Sequence, residues 1–201
     1  MTKISAPSLV ILAALVTGLG ILTIPGPKST LAAADRGGHP SKDCETTDGG
    51  LANFAPVDPV QPPPTETFQA DDGSALSLTD IARPGGAVVN FWATWCAPCI
   101  REMPQLDRLK TILEKDGITV IAISEDRAGL KKVKPFYAKQ GYKNLDIHLD
   151  PKGRFARALA VRGLPTTILV DRKGRRVLRV LGTAEWDSPK VVKLIRACLA
   201  D

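Results

Sequence analysis

The segment VNFWATWCAPC, residues 89–99, carries the strongest structural signal in the chain. It opens inside a short apolar run, residues 87–92, of the kind that forms a buried strand. After the second cysteine, apolar residues recur every three or four positions, which predicts a helix with one buried face over residues 98–115. Cys96 and Cys99 therefore lie where a buried strand gives way to a helix.

This position predicts the chemistry of the cysteine pair. The free N–H groups and the dipole at a helix N-terminus stabilise negative charge, so they lower the pKa of Cys96 and make it the attacking thiolate. Cys99, one turn further in, can resolve a mixed disulfide by attacking Cys96. A zinc site would need four ligands. The remaining histidines and cysteines form no second close pair: His39, His148, Cys44 and Cys198. We therefore predict a redox pair, with no metal and no other cofactor.

Short elements alternate along the rest of the chain and predict an α/β protein. The predicted strands are residues 118–123, 166–170 and 176–181, and the predicted helices are residues 129–140, 152–160 and 188–199. A hairpin turn, Asp-Arg-Lys-Gly, separates the last two strands, and the last helix has Ser188 as its N-cap and Pro189 at its first position. Helices interleaved with strands indicate a sheet covered on both faces that ends in an antiparallel pair.

The N-terminal third of the chain has a different character. Residues 4–24 contain no ionisable side chain and could span about 30 Å as a helix, so we expect residues 1–34 to be a membrane anchor. The alternative is a signal sequence cleaved near Ala34, after three small residues. Residues 35–67 are rich in Pro and Gly and are predicted to be a linker arm, followed by one folded domain over residues 68–201. Either N-terminal alternative places that domain outside the cytoplasm, on the periplasmic side of a bacterial inner membrane.

Two motifs together resemble a known family. FWATWCAPC at residues 91–99, followed by Glu102, Met103 and Pro104, and GLPTT at residues 163–167 are similar to the exported TlpA/ResA-like branch of the thioredoxin superfamily, nearest to the TlpA-like proteins. The resemblance runs from about Phe68 to the C-terminus. It implies the thioredoxin fold, with a central mixed sheet flanked by helices on both faces and with an N-terminal extension.

The resemblance also implies roles for individual residues. Pro165 matches a proline that has a cis peptide bond and lies against the dithiol. The residues expected to contact substrate are Trp95, Pro98, Leu164 and Pro165. Asn90 stands where cytoplasmic thioredoxin has a buried acid, and Glu102 matches an acid that could accept the proton of the resolving thiol. The alternative for Glu102 is a solvated surface side chain.

Cys44 and Cys198 are expected to form a structural disulfide between the arm and the last helix, as some TlpA-like proteins do. Such a bond would close a loop long enough to contribute about 5 kcal/mol in the chain-entropy model. The alternatives are a free, buried Cys198 and an exposed Cys44.

The predicted function is reduction of disulfides in exported client proteins, either copper-site proteins of cytochrome oxidase or apocytochrome c. The resemblance implies a membrane-bound thiol donor of electrons. A thiol peroxidase is a weaker alternative, because peroxiredoxins carry Thr or Ser where this chain has Ala93. A copper-binding module using the cysteines and His148 is another alternative, although His148 lies in a predicted strand. The net charge of +6 is spread along the chain, so we predict no nucleic-acid partner.

Overall fold

The computed structural model describes Cys44, residues 54–82 and residues 84–199. The expected anchor or signal, residues 1–34, and the linker up to residue 53, apart from Cys44, lie outside the described residues. None of the helices in the described part has the length and hydrophobicity needed to cross a bilayer.

Eight strands and five helices make up the described part of the chain. The strands are β1 (Phe54–Gln61), β2 (Phe68–Ala70), β3 (Ala75–Leu76), β4 (Ala87–Trp92), β5 (Thr119–Ser124), β6 (Ile147–Leu149), β7 (Thr166–Val170) and β8 (Arg176–Leu181). The helices are α1 (Leu78–Ile81), α2 (Ala97–Glu114), α3 (Leu130–Gln140), α4 (Arg154–Ala158) and α5 (Pro189–Leu199).

The strands form one mixed sheet in the order β1-β8-β7-β4-β5-β6-β2-β3. Strand β4 runs parallel to β5 and antiparallel to β7, and β5 runs parallel to β6. All six residues of β4 are buried, because helices cover both sides of the sheet. Helices α2, α3 and α5 pack on one side, and α1 and α4 pack on the other. The predicted α/β architecture is therefore confirmed, as are the strand-to-helix junction and the hairpin of β7 and β8.

The boundary expected at Phe68 is corrected by β1, which lies inside the stretch predicted to be linker. Strand β1 pairs antiparallel with β8 and forms one edge of the sheet, with an irregular register between Pro56 and Gln61. An edge strand needs ladder hydrogen bonds on one side only, so it tolerates prolines that a central strand would not. Those prolines also interrupt the alternation of apolar and polar residues, which is why the sequence pattern conceals this strand.

The sheet topology brings three chain segments to one edge. The carboxyl ends of the parallel strands β4 and β5 point the same way, and the antiparallel strand β7 begins there, with Thr166 opposite Phe91. The segment after β4 holds Cys96, the segment after β5 begins at Glu125, and the segment before β7 ends at Pro165. This edge is where the candidate site is built.

Candidate redox active site

Cys96 and Cys99 lie at the start of α2 and are joined by a disulfide. Cys96 is the N-cap of the helix, and its Sγ accepts a hydrogen bond of 3.3 Å from the backbone N–H of Cys99. Pro98 occupies the second helical position, where its missing N–H leaves no intrahelical bond unmade. Cys96 is 5% exposed and Cys99 is fully buried, so of the two cysteines only Cys96 reaches solvent. A thiolate at Cys96 would be stabilised by the helix N-terminus.

A buried carboxylate holds the loop that leads into the helix. Oδ2 of Asp126 accepts from the backbone N–H of Thr94 at 2.8 Å, and Oδ1 accepts from the Thr94 hydroxyl at 2.7 Å. The hydroxyl of Ser124 donates to Oδ2 at 2.8 Å. Asp126 therefore fixes the loop two residues before Cys96. Asp126 was not identified from the sequence, where the available signal was its position two residues after the end of β5, a buried strand parallel to β4.

Glu102 is 2% exposed, so the alternative of a solvated surface side chain is wrong. Its Oε1 accepts a hydrogen bond of 2.9 Å from Nδ2 of Asn90, and its Oε2 accepts one of 2.8 Å from Nε1 of Trp186. The same Nδ2 of Asn90 also donates to the hydroxyl of Thr167 at 2.9 Å. This network joins α2, β4, β7 and the loop before α5. Trp186 was not identified from the sequence, which offered no local pattern for it.

Burial raises the pKa of Glu102 to about 6, although the hydrogen bonds from Trp186 and Asn90 act in the opposite direction by favouring the carboxylate. A carboxyl group with this pKa exchanges its proton readily near neutral pH. Glu102 follows Cys99 by three positions, so the two side chains lie on adjacent turns of the same buried face of α2. The arrangement places a buried carboxyl group one helical turn from the inner cysteine.

The remaining predicted contact residues lie at the same edge of the sheet. The Leu164–Pro165 peptide bond is cis, and the carbonyl of Pro165 accepts from the N–H of Gly182 at 2.9 Å. Trp95 is 71% exposed beside the disulfide, and Leu181, opposite Thr166 in the β7–β8 register, is 50% exposed. Leu181 was not identified from the sequence. Trp95 and Leu181 are thus exposed apolar side chains, whereas Leu164 is half-buried and Pro165 is buried.

Cys44 and Cys198 are bonded to each other in the structure, with an S–S distance of 2.05 Å. Cys44 is fully buried and Cys198 is 4% exposed, so neither alternative, a free Cys198 or an exposed Cys44, is found. Both sulfurs lie in the core cluster that also contains Cys99 and Trp186.

The copper alternative receives no geometric support. Within the described ranges, no group of three or more His, Cys, Asp or Glu side chains could hold a metal ion. His148 lies in β6, is largely buried, and packs edge-on against Phe68 with the ring centroids 5.5 Å apart. Burial lowers the pKa of His148. The other histidine, His39, lies outside the described residues.

The chain is 35% identical over 112 residues to the thiol-disulfide oxidoreductase ResA of Geobacillus thermodenitrificans, a match that covers 56% of this chain and 63% of that protein. It is 32% identical over 111 residues to ResA of Bacillus anthracis, covering 55% and 62%. The chain therefore spans less than two thirds of the length of these relatives.

Solved structures confirm the predicted thioredoxin fold. A putative thiol:disulfide interchange protein DsbE from Chlorobium tepidum aligns with a TM-score of 0.62 and 26% identity, over 72% of this chain and 99% of that one. A DsbF homologue from Corynebacterium diphtheriae aligns with a TM-score of 0.57 and 25% identity, over 73% and 93%. The profile of the Redoxin family matches residues 58–195, which is more than half of the chain. The resemblance deduced from the two motifs is confirmed, and the chain belongs to the Redoxin family.

Proposed function

We propose that the protein is a thiol:disulfide oxidoreductase that reduces client disulfides through Cys96 and Cys99. One observation carries the proposal. The pair lies at a helix N-terminus with its outer sulfur at the N-cap and its inner sulfur fully buried. That asymmetry suits a nucleophile followed by a resolving thiol.

In the first step, the Cys96 thiolate attacks one sulfur of the client disulfide. A bond forms between Cys96 and that sulfur, the client S–S bond breaks, and the other client sulfur leaves as a thiolate. The N–H of Cys99 and the helix dipole stabilise the attacking thiolate in the reduced protein. The product is a mixed disulfide between Cys96 and the client.

In the second step, Cys99 resolves the mixed disulfide. Its thiol loses a proton to the carboxylate of Glu102, and the resulting thiolate attacks the sulfur of Cys96. The Cys96–Cys99 bond forms and the second client thiolate leaves, so two electrons have moved from the protein to the client. The two client thiolates take up two protons, one returned by Glu102 and one from water. A pKa of about 6 allows Glu102 to accept and return this proton near neutral pH.

The client docks at the edge of the sheet where the disulfide lies. Trp95, Leu164 and Leu181 offer apolar contacts, and the backbone before Pro165 pairs with an extended client segment. Pro98 lies between the two cysteines and contributes to the same surface.

The clients are exported apoproteins that must present free thiols to copper or haem, in cytochrome oxidase or cytochrome c assembly. The similarity to ResA supports this client class, because such thiols need a local reductant in an oxidising compartment. The protein is held on the periplasmic side of the membrane by residues 1–34, or is released there after cleavage near Ala34. A membrane-bound thiol protein supplies the electrons.

Variants of the two cysteines test the mechanism. Cys96→Ser abolishes reduction of insulin disulfides, because no nucleophile remains at the surface. Cys99→Ser retains the attacking thiolate and accumulates a mixed disulfide that is visible on a non-reducing gel and by mass. Equal residual activity in the two variants would contradict the assignment of roles.

The reduction potential of the Cys96–Cys99 couple tests the direction of electron flow. A value of about −260 mV supports a reductant, whereas a value of about −120 mV identifies an oxidant and refutes this part of the proposal. Consumption of hydrogen peroxide by the reduced protein would instead support the peroxidase alternative, and tight binding of copper would support the metal alternative.

A further inference from the structure

The loop between β8 and α5 lies along one stripe of α2. Three contacts hold it there, at helix positions three residues apart. Glu102 accepts from Nε1 of Trp186, Gln105 accepts from the backbone N–H of Trp186 at 3.1 Å, and Arg108 donates from Nε to Asp187 at 2.7 Å. The loop is therefore fixed in both position and direction relative to the helix that carries the disulfide.

The hydrogen bond from Trp186 to Glu102 is not a general requirement for burying a tryptophan in this core. Trp186 is 1% exposed and its indole N–H is directed at a carboxylate oxygen. Trp92 is fully buried in the same core cluster, and its indole N–H has no hydrogen-bond partner among the residues that the structure describes. The two side chains thus offer a comparison in which only one N–H reaches the acid.

The backbone N–H of Ala184 also favours the carboxylate of Glu102. The two side-chain donors, one on each oxygen, differ in kind. An indole N–H can only donate, so a proton placed on Oε2 would face the hydrogen of Trp186. A side-chain amide can donate or accept, depending on its orientation. Asn90 now donates to Oε1 of Glu102, and its own Oδ1 is buried and meets no hydrogen-bond donor in the described part of the chain. A proton on Oε1 can therefore be accepted by Oδ1 once the amide of Asn90 reverses. The reversal also exchanges the bond from Nδ2 to the Thr167 hydroxyl for one in which that hydroxyl donates to Oδ1, while Nδ2 takes the buried position that Oδ1 leaves.

We propose that Trp186 is a positioning residue that keeps Oε2 of Glu102 as an acceptor and so directs the proton taken up by Glu102 to Oε1. Asn90 reverses its amide when that proton arrives. The proposal rests on the proposed function only in naming Cys99 as the source of the proton during turnover. In that step the S–H bond of Cys99 breaks, an O–H bond forms at Oε1, and no electrons are transferred.

The first test measures the pKa of Glu102 in the oxidised protein, by carbon-13 NMR of its labelled carboxyl group across a pH titration. Trp186→Phe removes a donor that favours the carboxylate, so we expect the pKa to rise by about 1, a tenfold gain in proton affinity. Trp92→Phe is the matched control, because it removes an indole N–H that has no partner within the described ranges, and we expect no change in the pKa of Glu102. An unchanged pKa in folded Trp186→Phe, or an equal rise in both variants, would overturn the proposal.

If Trp186→Phe does not fold, incorporation of benzothienylalanine at position 186 preserves the shape of the ring and replaces the N–H with sulfur. The same rise in pKa is expected, and its absence counts against the proposal in the same way.

A second measurement identifies the oxygen that carries the proton. Proton and nitrogen NMR signals of the Trp186 indole and the Asn90 amide are followed in the parent through the titration of Glu102. We expect the indole proton to stay hydrogen-bonded throughout, and the Asn90 signals to change with the pKa of Glu102. A large upfield shift of the indole proton with a constant Asn90 signal would place the proton on Oε2 and refute the inference. Neither measurement needs turnover, so loss of the proposed reductase activity would leave both readings interpretable.

Discussion

Glu102→Gln should make the protein's stability less sensitive to pH, by an amount that follows from the burial of the acid. Burial raises the pKa of Glu102 from 4.5 to about 6. A raised pKa means that folding favours the protonated form, so the associated stability is fully present below pH 4.5 and is lost as the pH rises through 6. A difference of about 1.5 between the two pKa values corresponds to about 2 kcal/mol.

The measurement is urea unfolding of the oxidised protein at pH 4 and pH 7.5, for the parent and for Glu102→Gln. The free energy of unfolding of the parent, relative to that of the variant, should fall by about 2 kcal/mol between the two pH values. Other groups that titrate on unfolding, such as Glu125, whose pKa burial raises to about 8, affect both proteins alike and cancel in the difference.

Glu114→Gln provides the matched control, because it removes an exposed carboxyl group from the end of the same helix. Gln has one acceptor where Glu has two, so Glu102→Gln also carries a constant offset in stability from the contact with Asn90. The test is therefore how much the difference in unfolding free energy between the parent and Glu102→Gln changes from pH 4 to pH 7.5. If parent and variant differ by the same amount at both pH values, the burial of Glu102 does not set its pKa.

The remaining predictions concern the surroundings of the disulfide. Replacing Cys44 and Cys198 with Ser should lower the free energy of unfolding by about 5 kcal/mol, because their bond spans 154 residues. Urea unfolding measures this loss, and a loss below about 1 kcal/mol would contradict the loop-closure argument. Asp126→Ala leaves the N–H and hydroxyl of Thr94 without an acceptor, and should cost about 2–4 kcal/mol in the same assay and slow client reduction. Trp95→Ala should change stability by less than about 0.5 kcal/mol and lower kcat/KM for a protein client about tenfold. An unchanged kcat/KM would exclude Trp95 from the client surface.

The local part of the site could be predicted from the sequence. The strand β4, the start of α2 and the Cys96–Cys99 pair lie within one continuous segment, so their periodicity and spacing are visible without tertiary information. The same holds for α5, where the hydroxyl of Ser188 accepts from the N–H of Val191 at 3.4 Å, as expected of an N-cap. In these segments local propensity and tertiary structure agree.

Contacts between distant parts of the chain could not be predicted in this way. Trp186 meets Glu102 across 84 residues, and Asp126 meets Thr94 across 32 residues. Such pairs depend on the order of strands and on where each loop crosses the sheet. A single tryptophan in a polar segment carries no periodicity that would reveal its partner. The burial of Glu102 was ambiguous for the same reason, because it depends on the loop that covers it.

Two short strands at one end of the sheet were hidden by a different cause. Strands β2 and β3 are three and two residues long, too short for a pattern of alternating burial to emerge. They exist because β6 and the turn between them supply hydrogen-bond partners, with Gln69 opposite Leu149 and Phe68 opposite Leu76. Strands this short are stabilised by the sheet to which they are added rather than by their own sequence.

The two disulfides differ greatly in the length of chain that each one encloses, 154 residues for one and three for the other. The bond proposed to open and close in every catalytic cycle is the one that encloses almost nothing. Opening it gives the unfolded chain little new freedom, so any difference in stability between the oxidised and reduced protein arises in the folded state, where the helix N-terminus stabilises the Cys96 thiolate. The long bond, by contrast, acts mainly on the unfolded chain, whose freedom it restricts. The two bonds therefore act on different states of the same protein.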